Sequence, residues 1–317
     1  MINLDKKRIA VTGGRGFLGS HIVDILKARK LDIDIPQKSE YDFRKKGDCT
    51  RFFKKVNPQV VINCAAFQGG IGFHSGKQAD LFMDNIQIGC FLMQTAQESG
   101  VEKFINVVAG CAYPGYLEKE VMDETDFWSG EIHDSIFSYG FSRKATVVYG
   151  KALYRQYGFN SIHLVLANMY GPRDHYDPKQ SKALAALIRK IYEAKKNGKD
   201  EVEIWGTGKP LRDWLYVKDG AEGIIKATEV YESIDPLNIA SGRGVSVTEL
   251  AKAIKSTVGY TGRFVYNIEK PDGAMKKIFG TEKMKRELNW SPQMSIELGI
   301  KESVQWFIKN YEEVTKK

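Results

Sequence analysis

Arg8-Ile9-Ala10-Val11-Thr12-Gly13-Gly14-Arg15-Gly16-Phe17-Leu18-Gly19 decides how this chain folds. A short apolar strand over 9–11 runs into Gly13, Gly14, Gly16 and Gly19. An amphipathic helix follows at once, with Phe17, Leu18, Ile22, Ile25 and Leu26 on one face. Gly13 and Gly14 permit a tight turn, Gly16 admits a pyrophosphate against the backbone, and Gly19 lets helix close on strand. Free N–H groups at the helix start, helped by the helix dipole, face the phosphates. Strand, glycine turn and helix in this order predict a dinucleotide-binding βα unit.

The rest of the chain is consistent with such a unit. Its 317 residues, 43% hydrophobic and 27% charged, suit one large or two closely packed domains. No apolar run reaches membrane-spanning length, and no hydrophobic signal segment precedes the first strand. Cys49, Cys64, Cys90 and Cys111 form neither a close pair nor a metal spacing, so they read as reduced thiols of a cytoplasmic protein with no metal. The net charge of +8 is spread among interleaved acids. With no basic arm or aromatic-basic motif, it predicts a site for anionic ligands and no nucleic-acid surface.

Strands and helices alternate through the first 165 or so residues. Strands are expected at 31–35, 60–66, 104–108 and 161–166, and helices at 48–56, 78–98 and 139–157. This alternation predicts a parallel, doubly wound Rossmann sheet covered on both faces. Past Asn168, short strands at 201–205 and 237–240 sit among longer helices, with a capping box at Ser246–Glu249 and a last helix over 296–311. The division expected is a dinucleotide domain over 1–168, rejoined by parts of 213–240, and a smaller mixed α/β lobe over 169–317.

Ligands of doubly wound sheets lie at the carboxyl ends of the strands. Ala109-Gly110-Cys111, Tyr139 and Asn168-Met169-Tyr170-Gly171-Pro172 fall there. The arrangement resembles the extended short-chain dehydrogenase/reductase superfamily. Five further blocks narrow it: Ser138-Tyr139-Gly140-Phe141-Ser142, Tyr154-Arg155-Gln156-Tyr157-Gly158, Asn168–Asp174, Ile204–Asp213 and Lys270-Pro271-Asp272-Gly273. They are similar, in one register, to the GDP-L-fucose synthase family, the GDP-4-keto-6-deoxymannose 3,5-epimerase/4-reductases. The resemblance implies hydride transfer between NADP(H) and a GDP-linked 4-keto sugar, with Tyr139 passing the proton. Related enzymes pair the helices at 78–98 and 139–157 into a dimer core, so a homodimer is expected.

The departures from that pattern fall on the chemistry. The family lysine four residues after the tyrosine is Arg143 here, and Lys144 follows. On a helix the fourth residue lies about 40° from the first and the fifth about 140°, so Arg143 takes the lysine's place. Arginine keeps the charge but is larger and planar. The family serine aligns with Ala109, its cysteine with Cys111, and its histidine with Lys182; His175 is a possible substitute. Around the cofactor the resemblance places Gly13, Arg15, Gly16, Phe17, Leu18, Lys38, Ala65, Ala66, Val108, Tyr139, Arg143, Leu166, Asn168 and Met169. Arg15 and Lys38 favour NADP(H) over NAD(H), although Asp34 near the end of the second strand leaves NAD(H) open. Lys190, Trp205, Arg212 and Asp272 would hold the GDP-sugar, Arg212 offering a fork for diphosphate and Trp205 an apolar face. Trp205 could instead pack on Trp214. The altered positions leave two alternatives: an enzyme lacking either the epimerase or the reductase step, or a binding protein without catalysis.

Overall fold

Alternate residues of each early strand feed different apolar cores, so the sheet they build needs cover on both faces. In the structure, a computed structural model that describes residues 1–315, the chain begins with β1 (Ile9–Thr12), α1 (Phe17–Ala28), β2 (Ile33–Asp34), α2 (Lys46–Val56) and β3 (Val60–Asn63). It continues through α3 (Ile71–Ser75), α4 (Gln78–Glu98), β4 (Lys103–Ala109), α5 (Phe137–Tyr157) and β5 (Ser161–Leu166). Ile9, Val11, Val60, Ile62 and Ile105 enter one core with α1, while Ala10, Val61 and Phe104 enter the other with α2 and α4.

Beyond these lie β6 (Asn168–Tyr170), α6 (Ala183–Lys196), β7 (Glu201–Trp205), β8 (Leu211–Tyr216), α7 (Val217–Val230) and β9 (Leu237–Ile239). The chain then adds β10 (Gly244–Ser246), α8 (Val247–Val258), β11 (Arg263–Asn267), β12 (Lys276–Lys277), α9 (Glu282–Leu288), α10 (Ile296–Lys309) and α11 (Tyr311–Thr315). The main sheet is parallel throughout, in the order β2-β1-β3-β4-β5-β9. The fold is therefore an α/β doubly wound sheet of the Rossmann kind. α7 packs on α1 and β9 pairs with β5, so chain from the second half rejoins the sheet. A separate core joins Leu187, Ile188 and Ile191 of α6 to Leu250 of α8 and to Val304 and Phe307 of α10. Its spine is β8, which pairs with β6, β10 and β12.

Four expected elements are shorter than the sequence suggests; the strand expected over 60–66 ends at Asn63 and that over 237–240 at Ile239. The second strand pairs only at Ile33 and Asp34, because Leu31 N–H is taken by Leu26 O at the end of α1. The helix expected over 296–311 stops at Lys309, where the Asn310 side chain donates to Trp306 O at 2.7 Å and closes the turn, and the short α11 follows. The capping box of α8 forms as expected, with Ser246 and Glu249 bonding reciprocally.

Candidate active site

β1 and β3 lie side by side where the winding reverses, so their carboxyl ends open a crevice. Gly13 has φ +68°, and a Cβ there would lie 2.8 Å from Ala65 N. A Cβ at Gly19 would lie 2.2 Å from Gly13 O, so neither position admits a side chain. Asn63 ties the strand ends together: its Oδ1 accepts from Thr12 Oγ1 at 2.7 Å and from Ala65 N at 3.2 Å. Gly16 is the N-cap of α1 and carries no side-chain cap, and a Cβ there would meet only Gly13 O. The first N–H groups of α1, from Phe17 onward, are thus left for an anion, and the cradle fits the pyrophosphate of a dinucleotide. Arg15 in the glycine turn and Lys38 after β2 are both exposed. Asp34 closes β2, its carboxyl raised above the usual range by burial and by Asp32.

Tyr139 sits in the first turn of α5, only 5% exposed. A Cβ at Gly140 would lie 2.6 Å from Cys111 O, so α5 starts directly on the Gly110–Ala112 turn after β4. Burial lifts the Tyr139 phenol above its ordinary value, and the Arg143 guanidinium pulls it back down. Arg143 is 2% exposed. One of its amino groups donates to Val107 O on β4, while Nε and the other amino group have no partner. Lys144 turns away as the helix geometry requires, its ammonium 5.3 Å from the Phe127 ring centre. Burial pushes the Cys111 thiol up, opposed by the charges of Lys277, Lys182 and Arg143.

Lys182 is the N-cap residue of α6. The loop after β3 carries the cleft to it: Gly70 N–H donates to Gln180 O at 2.9 Å, and a Cβ at Gly70 would lie 2.4 Å from Ser181 O. His175 is exposed beside the buried Asp174, whose carboxyl burial lifts to about 6, with Lys182 pulling it down. The histidine against the tyrosine is His74, edge-on to the Tyr139 ring at 5.2 Å between centroids. Its imidazole is held below the ordinary value by burial.

The residues expected to hold the nucleotide sugar lie in the second half of the chain. Arg212 of β8 donates to Asp272 O at 3.2 Å, and burial brings its guanidinium down to about 10. Both Asp272 carboxylate oxygens are taken by Thr207, from its N–H and from its hydroxyl, each at 2.8 Å. Asp272 therefore fixes the turn after β7. Trp205 is 44% exposed, so it does not join a core with the buried Trp214. Lys190 and Lys270 stand 5.2 and 5.5 Å from its ring centre. α3 bridges the two halves. A Cβ at Gly72 would touch the Trp205 ring at 3.7 Å, and a Cβ at Gly273 would lie 3.4 Å from Ile71 and 3.3 Å from an Arg212 amino group.

Sequence reasoning missed three residues here. Lys277, at the end of β12, is 6% exposed and donates to Tyr113 O at 3.2 Å. Burial brings its ammonium down to about 8, with Cys111 opposing and Arg212 reinforcing the fall. Gln68 comes from the loop after β3 and His74 from α3, which follows it. The glycine-rich run Gln68-Gly69-Gly70-Ile71-Gly72, following a buried strand at its carboxyl end, was the available signal.

A parallel doubly wound sheet, a glycine cradle at its crevice and a buried tyrosine at the start of the next helix define a nucleotide-dependent enzyme of one recognisable class. Residues 9–240 match the NAD dependent epimerase/dehydratase family, and the chain belongs to it. It is similar to GDP-L-fucose synthase 1 of Arabidopsis thaliana, at 33% identity over 304 residues covering 96% of this chain and 94% of the relative. A GDP-L-fucose synthetase from Naegleria fowleri bound to NADP superposes with TM-score 0.87 at 27% identity, covering 98% and 97% of the two chains. A GDP-6-OMe-4-keto-L-xylo-heptose reductase from C. jejuni shares the fold at TM-score 0.91 and 24% identity, over 98% and 99%.

Proposed function

We propose that this protein is an NADPH-dependent epimerase/reductase of a GDP-linked 4-keto sugar. The observation that carries the reading is the gathering of Tyr139, Arg143 and Cys111 at the carboxyl ends of the sheet, where Gly140 sits directly on Cys111 O and Arg143 donates to Val107 O, with Lys277 and Lys182 as the nearby cations. The likeness to the plant fucose synthase and to the NADP-bound amoebal synthetase supports both substrate class and cofactor.

Gly13, Gly16, Phe17 and Leu18 hold the cofactor pyrophosphate, and Arg15 and Lys38 take the ribose phosphate that distinguishes NADP(H). Ala65, Ala66, Val108, Leu166, Asn168 and Met169 line the remainder. The bound cofactor supplies a hydride to the sugar C4. Tyr139, kept protonated by burial, donates its proton to the C4 oxygen. Arg143 steadies the phenolate that remains and offers its unpartnered N–H groups to the ribose. Cys111 and Lys182 handle the protons at C3 and C5. The raised thiol leaves Cys111 protonated at neutral pH, and the Lys277 and Lys182 charges offset part of the cost of ionising it. Lys190, Trp205 and Arg212 take the nucleotide diphosphate, and Asp272 holds the turn that presents Trp205.

The test is nicotinamide absorbance on mixing protein, NADPH and an enzymatically prepared 4-keto GDP-sugar. Oxidation of NADPH with retention of the GDP group is expected. A protein inert with GDP-, UDP- and dTDP-linked keto sugars overturns the reading. Phe137, Phe141 and Val148 stand exposed within a ~40° arc of α5, with Phe82 of α4 stacked 6.3 Å from the Phe141 ring. A second copy covering this stripe makes a homodimer, which light scattering at micromolar protein checks. Cys49, Cys64, Cys90 and Cys111 are free thiols, which supports the cytoplasmic reading.

A further inference from the structure

We infer that Gln68 is the positioning residue for the Tyr139 hydroxyl, in place of the absent serine; the inference rests on the reductase reading above. The Tyr139 hydroxyl donates to Gln68 Oε1 at 3.4 Å. Of the two groups that the family pattern would supply, the serine is missing and the cation is anchored in part elsewhere. Position 109 is alanine, with no hydroxyl. Arg143 anchors one amino group on Val107 O, along β4 and away from the loop that carries Gln68.

The Gln68 backbone is held on both sides. Before it, Asn85 clamps Phe67, accepting from Phe67 N at 3.0 Å and donating to Phe67 O at 2.8 Å. After it, Gly69 O bonds to His74 Nε2 at 3.0 Å, and Gly70 N–H is fixed on Gln180 O. The exposed carboxamide therefore hangs over the tyrosine from a fixed support, which is what a positioning group requires. Its chemistry suits both states of the phenol. Oε1 accepts from the neutral hydroxyl, and with the amide turned over Nε2 donates to the phenolate left after proton transfer. A carboxamide thus does what a serine hydroxyl does, without titrating.

The experiment compares turnover of NADPH and a 4-keto GDP-sugar by wild type, Gln68→Leu, Gln68→Glu and Gln68→Leu with Ala109→Ser. Gln68→Leu should lower kcat by about ten- to a hundred-fold, the worth of one hydrogen bond to a charged group, with KM and NADPH affinity within about two-fold. Ala109→Ser should recover most of that loss by returning a hydroxyl. Gln68→Glu should be slow at neutral pH and quicken as pH falls through the carboxyl's titration, since only the protonated acid both donates and accepts. A purely structural role would produce neither the rescue nor the new pH limb. An active wild type matched by Gln68→Leu, or a loss that Ala109→Ser does not touch, overturns this inference alone. A wild type inert with every 4-keto sugar nucleotide overturns the reductase reading and this inference with it.

Discussion

Lys277→Met should make the protein more stable at neutral pH, and the gain should vanish as pH rises. The Lys277 ammonium is buried among Cys111, Arg212 and Lys144, and falls from the ordinary 10.5 to about 8. At ~1.36 kcal/mol per pH unit, the protonated lysine is about 3 kcal/mol less comfortable in the fold than in the unfolded chain. The sign follows from proton binding. Between pH 8 and 10.5 the unfolded chain binds more protons here than the fold, so wild-type stability rises with pH across that window. Below pH 8 the full cost applies; by pH 10 less than ~1 kcal/mol remains. Methionine fills similar space without charge but leaves Tyr113 O without its donor, a loss of about 1 kcal/mol. The variant should therefore lead by about 2 kcal/mol at pH 7 and by nothing at pH 10. Urea unfolding of both proteins at pH 7, 8, 9 and 10 measures this, and groups that titrate alike in both cancel. A gap that stays constant across the series, or a variant weaker at pH 7, refutes the reasoning. The same variant should lose turnover, because Cys111 loses a cation that favours its thiolate.

Tyr139→Phe should lower turnover by about 10²–10⁴-fold while NADPH affinity stays within a few-fold; titrating cofactor fluorescence alongside kinetics checks both. Arg15→Ala with Lys38→Ala should weaken NADPH and leave NADH nearly unchanged, bringing the two dissociation constants together. Gly19→Ala drives a methyl into Gly13 O and Gly14 Cα, both backbone, so cofactor binding should be lost and stability should fall by at least ~2 kcal/mol in urea unfolding. Ala109→Ser with Arg143→Lys should raise NADPH turnover by more than the two single changes combined, and simple additivity would show that the positions act independently.

Local rules made the sheet legible. The glycine turn, the unbroken run Val60-Val61-Ile62 and the capping box at Ser246 each depend on neighbours within a few residues, and each formed where expected. The ends of β2 and α10 were misjudged because backbone groups at Leu31 and Trp306 were captured by helix-terminal bonds that apolar periodicity does not register. The candidate site was legible only where a residue could be placed by its position after a strand or on a helix. Lys277 reaches Tyr113 across 164 residues of chain, and Gln68 reaches Tyr139 across 71. No spacing rule spans such intervals. Asp272 shows the converse: the resemblance assigns it to the GDP-sugar, yet its carboxylate is occupied by Thr207.

The five residues of α3 set Gly72 close to the Trp205 ring at one end and His74 against Tyr139 at the other, so in the proposed enzyme recognition and reaction share a lever. A ligand that moves Trp205 bears on α3, and α3 carries that displacement to the groups around the phenol. Discrimination among nucleotides is then exercised on the chemical step as well as on binding. A sugar carried by the wrong nucleotide should be turned over slowly even at saturation.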